Sequence, residues 1–248
     1  MRAAAPEPDG ILNQRVIRYW SDCSCWLMEC DRAASRNRGA QEHAADYRAE
    51  PILCDVRAYQ AFTLETFDGG RLANGDKLVT AGQRWLDQIS ALPFADRSYA
   101  DPRCCLYFYS AGKGRGKTHL AAAIAIAARA TGKAISIVDE ISYAEQYWAA
   151  DLDQKRDLAL APSQRAWLTV FDDMGSRENT PAGLRDFWYD LIGPRWLKRG
   201  WTIITSNWTL DELAARGTID DRVYSRLVQM TGSKVVTFDG ADQRLVTA

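Results

Sequence analysis

The stretch Tyr107–Leu120, YFYSAGKGRGKTHL, constrains this chain more tightly than any other. An apolar run, Leu106–Tyr109, enters a glycine-spaced turn and leaves it through Lys117-Thr118 into an alanine-rich run. Strand, loop and helix in that order are the setting of a phosphate-binding P-loop. Gly112, Gly114 and Gly116 let the backbone curl so that successive N–H groups point inward at an anion. The helix that follows adds its positive dipole end. The expected nucleotide-binding segment is therefore Gly112, Lys113, Gly114, Arg115, Gly116, Lys117, Thr118 and His119. Lys117 reaches the β- and γ-phosphates, and the Thr118 hydroxyl holds Mg²⁺. Ala111 stands where the G-x-x-x-x-G-K-[ST] pattern has its first glycine. Alanine is tolerable there only if the residue needs no positive φ. The competing reading is a glycine-rich turn that binds nothing.

A chain of 248 residues has room for one α/β domain and a small appendage. With a formal net charge of −1, bulk charge makes no polyanion-binding surface, so any nucleic-acid contact must be local. The six cysteines are scattered, and no apolar run is long enough to span a membrane. The start, MRAAAPEPDG, reads as a polar tail rather than a secretory signal. These features predict a cytoplasmic protein with reduced thiols and no membrane partner.

Residues 1–60 differ in texture from the rest. They hold Cys23, Cys25, Cys30 and Cys54. Zinc modules pair ligands as C-x₂₋₄-C, whereas these follow C-x-C-x₄-C with Cys54 apart. Zinc stands against reduced, partly buried cysteines on a helix from Leu12 to about Arg36. The segment 58–75, with Phe62, Phe67 and Gly69-Gly70, reads as the link into a domain 61–248. An amphipathic helix is expected over Lys77–Leu92. Beyond it, strands are expected at Cys104–Tyr109, Ala134–Val138, Ala166–Phe171, Trp201–Thr205 and Val235–Phe238. Helices are expected at Lys117–Thr131, Ile141–Leu158, 182–199, Leu210–Ala215 and Asp220–Met230. Apolar strands alternating with helices predict a five-stranded parallel sheet covered on both faces.

Three further places fit the phosphate loop. Asp172-Asp173 follow an apolar strand, the Walker B arrangement: Asp172 serves the magnesium, and Asp173 orients the attacking water. Taken alone, they would be helix N-caps. Asn207 ends the fourth strand, where ligands bind in open α/β sheets, and is suited to placing water against a γ-phosphate. Arg222 and Arg226 lie four apart on one helical face. An arginine delivered to another subunit's γ-phosphate stabilises the transition-state charge; an ordinary solvated face is the alternative. Arg195, Lys198 and Arg199, beside Trp196 and Trp201, could track a single strand, or could simply close a helix C-terminus.

The series AGKGRGKTHLA, TVFDDMG, TIITSNWTLDEL and DDRVYSRLVQMTGSKVVTFDG resembles the AAA+ ATPases of the DnaC/IstB group, the bacterial and phage replicative-helicase loaders and transposition helper ATPases. The resemblance spans about residues 60–245. It implies Lys117 and Thr118 as Walker A, Asp172 and Asp173 as Walker B, Asn207 as sensor I, and Arg226 as arginine finger with Arg222 as second candidate. Asp173 replaces the glutamate of most AAA+ ATPases, so slow hydrolysis is expected. A helical lid with a sensor II arginine is not expected. The FTLETFDG junction and the cysteine-bearing residues 1–60 resemble the loaders, which implies a partner-binding module there. The implied partners are a hexameric replicative helicase, single-stranded DNA and further copies of the chain. Other readings are an IstB-like helper that binds duplex DNA and a transposase, a P-loop small-molecule kinase, and an adaptor that holds ATP without turnover.

Overall fold

The computed structural model describes residues 59–91, 104–160, 166–177, 183–232 and 235–242, all within the unit Tyr47–Ala248. The expected helix from Leu12 and the four candidate zinc cysteines lie outside the described residues.

A 3₁₀ turn, Gly69–Arg71, leads into α1 (Gly75–Ala91). The order then runs β1 (Cys105–Tyr109), α2 (Lys117–Ala130), β2 (Ile135–Asp139), α3 (Glu140–Ala149), α4 (Leu152–Leu160) and β3 (Leu168–Met174). It continues through α5 (Gly183–Lys198), β4 (Trp201–Ser206), α6 (Leu210–Ala215) and α7 (Asp221–Thr231) to β5 (Val235–Thr237). The five strands form one sheet in the order β2-β3-β4-β1-β5, and every pair is parallel.

Successive side chains of a strand face opposite ways, so these apolar strands feed two cores. Phe108, Ile137, Val170 and Ile203 point to one side and pack with Leu78 and Leu86 of α1 and Leu120, Ile124 and Ala128 of α2. Tyr107, Val138, Phe171 and Ile204 point to the other and pack with Phe187, Trp188 and Leu191 of α5, Leu213 of α6 and Val223 and Leu227 of α7. Alanines at 121, 122, 125 and 128 are buried, and their small size lets α2 lie close on the sheet. Cys104 and Cys105 are buried thiols of the core.

The structure departs from the sequence expectations in three places. The helix expected over Ile141–Leu158 is two helices. Asp151 accepts from the Gln154 N–H at 2.8 Å while Gln154 Oε1 accepts from the Asp151 N–H at 3.1 Å, a reciprocal cap that starts α4 afresh. Strand β3 does not stop at Phe171. It carries Asp172 and Asp173 within it, with a register shift between Phe171 and Met174. Arg195 is not available to nucleic acid. It is 1% exposed and donates to the carbonyls of Ala166 (2.6 Å), Trp167 (3.3 Å) and Trp201 and to Thr202 Oγ1 (3.2 Å). Its five-donor fork satisfies backbone oxygens where β3 and β4 begin.

Candidate nucleotide-binding site

Chain order and sheet order disagree at β1: α2 leaves it to reach β2 at the far edge, while β4 and β5 flank it. Such a switch point opens a crevice at the carboxyl ends of the strands. The loop after β1, the bulged end of β3 and the residue after β4 all lie there.

In the loop, Gly114 and Gly116 take φ of +69° and +83°, the left-handed conformation that glycine reaches without steric penalty. Gly116 caps α2, and a side chain there would also meet the Phe67 ring, 2.9 Å from the nearest carbon. Ala111 has no positive φ, which explains why the missing first glycine is tolerated. Lys117 is 5% exposed. Its ammonium donates to Ser110 Oγ at 2.8 Å, the Gly112 carbonyl at 3.2 Å and Asn207 Oδ1 at 2.8 Å. The Ser110 hydroxyl in turn donates to the Gly112 carbonyl at 2.6 Å. A buried ammonium needs such acceptors, and a triphosphate supplies stronger ones.

Beside the loop, Thr118 Oγ1 donates to Asp172 Oδ1 at 2.9 Å, and Thr205 Oγ1 donates to the same oxygen at 2.6 Å. Thr205 also accepts from the Asp173 N–H at 2.9 Å. Asp173 sits in the bulge with φ of +55°, a conformation aspartate tolerates better than most side chains. Burial pushes the Asp172 carboxyl up to about 6, and the charges of Asp173 and Asp139 add to this, while the two threonine hydroxyls oppose it. Hard oxygen donors, one of them a buried carboxylate short of positive charge, fit a magnesium ion held with nucleotide phosphates.

The remaining candidates lie around this centre. Lys113 is exposed. The Arg115 guanidinium folds back over Gly112 and donates to the Phe238 carbonyl at 3.5 Å. The His119 ring faces the segment before α1: it stacks on Phe62 at 4.7 Å, meets Phe67 edge-on at 5.4 Å, and has Thr66 Oγ1 at 3.2 Å and the Thr63 carbonyl at 3.3 Å. Its pKa is lowered by burial. Arg222 and Arg226 contact none of these groups; they pack against Tyr189 of α5. Ser110 and Thr205 were missed by the sequence reading. Their only signal is a hydroxyl at the end of an apolar strand.

The IstB-like ATP-binding protein family matches residues 80–245. No curated protein matches. Among solved structures, the chain is similar to DnaI at 16% identity, covering 78% of this chain and 95% of that one, with a TM-score of 0.56. It is similar to the DnaC helicase loader at 19% identity, covering 74% and 99%, with a TM-score of 0.56. It also resembles the replication initiator DnaA bound to AMPPCP and single-stranded DNA, at 19% identity and a TM-score of 0.53, where it covers 72% of this chain and half of the DnaA chain. These likenesses share the AAA+ fold, and among the described residues no helix is long and apolar enough to cross a membrane. With the family match running from α1 to beyond β5 and taking in the phosphate loop, the chain belongs to the IstB-like ATP-binding protein family.

Proposed function

We propose that this chain is an ATP-dependent loader that delivers a replicative helicase to single-stranded DNA, with ATP binding and slow hydrolysis as its assembly switch. The observation that carries the nucleotide switch is the hydrogen bond from Lys117 to Asn207 across the crevice. A phosphate oxygen is a stronger acceptor than an amide oxygen, so nucleotide draws the lysine away and frees Asn207 to orient water. Thr118 and Asp172 would hold a magnesium ion, whose chemistry would be to neutralise phosphate charge. Asp173 orients the attacking water; its side chain is one methylene shorter than glutamate and reaches the water less well, which makes the step slow. Arg226, with Arg222 beside it, serves a neighbouring subunit's phosphate.

The likeness to the DnaC helicase loader over nearly the whole of that chain supports the loader role, and the DnaA complex supports a single-stranded DNA contact. Membership of the IstB-like family supports the second reading, a transposition helper that acts with a transposase on duplex DNA. The test is reconstitution of the full chain with its host's hexameric helicase and single-stranded DNA. A stable complex is expected, with ATP turnover that rises on mixing and falls with dilution. Lys117→Ala should abolish nucleotide binding, and a chain starting near residue 60 should bind ATP but lose the helicase. Capture of a transposase on duplex DNA in place of the helicase would overturn the loader role. Flat specific activity down to monomer concentrations would remove the trans arginine.

A further inference from the structure

The two arginines of α7 share one aromatic ring on α5. The Arg222 guanidinium carbon lies 4.3 Å from the Tyr189 ring centre, and that of Arg226 lies 4.5 Å from it. Arg226 also donates toward the Tyr189 hydroxyl at 3.4 Å and lies 5.3 Å from the Trp196 ring. Gly193 completes the seat: a side chain there would come within 3.0 Å of Arg226 Nη1. That nitrogen is buried, with no hydrogen-bond partner among the described residues. Trp196 is itself held by its indole N–H, which donates to Gln229 of α7.

The two guanidiniums differ in charge balance. Arg222 pairs with Asp220 at 2.6 Å. Arg226 meets only π-faces and a phenol among the described residues. A ring face holds a cation without neutralising it, and it confines a long side chain to few rotamers. A guanidinium kept charged and pre-aimed is what stabilisation of a transferring phosphoryl group requires.

We infer that Tyr189 is a positioning residue that holds Arg226, charged and in a fixed rotamer, for delivery to a neighbouring subunit's nucleotide. The inference rests on the reading of α7 as the arginine-bearing surface of the assembly. The cation and hydrogen-bond contacts of Tyr189 among the described residues are with Arg222 and Arg226 and not with Lys117, Thr118, Asp172 or Asn207, so its loss should leave that subunit's ATP binding intact.

The test is complementation in the helicase-bound assembly. Arg226→Ala supplies intact pockets, and Lys117→Ala supplies intact arginines; mixing them restores turnover. Adding Tyr189→Leu to the Lys117→Ala chain should cut that restored turnover about tenfold, while Tyr189→Phe, which keeps the ring, should preserve most of it. Tyr189→Met, of similar volume, is the second variant should the leucine protein fail to fold, and bound ATP in the single Tyr189 variants confirms folding. If the Tyr189→Leu or Tyr189→Met donor restores turnover as fully as Lys117→Ala alone, Tyr189 has no positioning role. If Lys117→Ala restores nothing to Arg226→Ala, or Arg226→Ala is fully active by itself, the arginine reading fails first and the inference falls with it.

Discussion

Thr205 hydrogen-bonds to both carboxylate-bearing residues at the end of β3. It donates to Asp172 and accepts from the Asp173 backbone. Thr205→Val keeps the shape and removes the hydroxyl. Asp172 then loses a donor to its charged form, and its pKa moves further up from about 6. A hydrogen bond to a charged group contributes about 1.5–3 kcal/mol, so magnesium-dependent ATP binding should weaken about tenfold or more. Titration with a fluorescent ATP analogue, with and without Mg²⁺, checks this; equal effects in both would show that Thr205 does not act through the metal. At this scale, the residues legible in the sequence were those that belong to spaced motifs: Lys117, Thr118, Asp172, Asn207. Thr205, Ser110 and Tyr189 belong to none. The partners of Thr205 and Tyr189 are 33 and 37 residues away, a separation that periodicity cannot bridge, and Ser110 meets Lys117 across a loop that has no period.

Elements were legible where an apolar period runs without interruption, as in β1, β4 and α2. The break between α3 and α4 was not, because Asp151 and Gln154 look like ordinary helix-surface residues until they cap each other. At the start of α3, Glu140 is buried and accepts from the N–H groups of Gly175 (2.5 Å) and Ser176 (3.0 Å), and so ties α3 to the loop after β3. Burial raises its carboxyl from 4.5 to about 7, against the pull of those N–H groups. A raised carboxyl pKa means that the folded protein holds a proton the unfolded chain releases. Glu140's contribution to stability is therefore fully present below about 4.5 and is lost as pH rises through about 7. Glu140→Gln should flatten part of this decline while still accepting both N–H groups. Chemical denaturation midpoints between pH 5 and 8 check this, and an unchanged slope would contradict it. Asp172 contributes in the same direction, so the difference between the two proteins is the quantity to read.

For the molecule as a whole, strand count and direction followed from the alternation of apolar strands with helices. The order β2-β3-β4-β1-β5 did not, because it depends on which helix crosses which face. The sheet separates two apolar cores that share a partly buried side chain at Trp201. Leu120→Ala on one face and Leu191→Ala on the other should each cost about 2–5 kcal/mol, and the double variant should cost their sum to within about 0.5 kcal/mol. Leu191→Ala with Leu227→Ala, within one core, should depart from additivity by more. Equal behaviour of the two pairs in denaturation would show that the sheet transmits strain between the faces. The Arg195 fork gives this architecture a mechanical property. It rivets the C-terminal end of α5 to the backbone where β3 and β4 begin, and the opposite ends of those strands carry Asp172 and Asn207. A load on α5 would therefore pass into the two strands rather than slide the helix over the sheet, and the crevice lies at the far end of both.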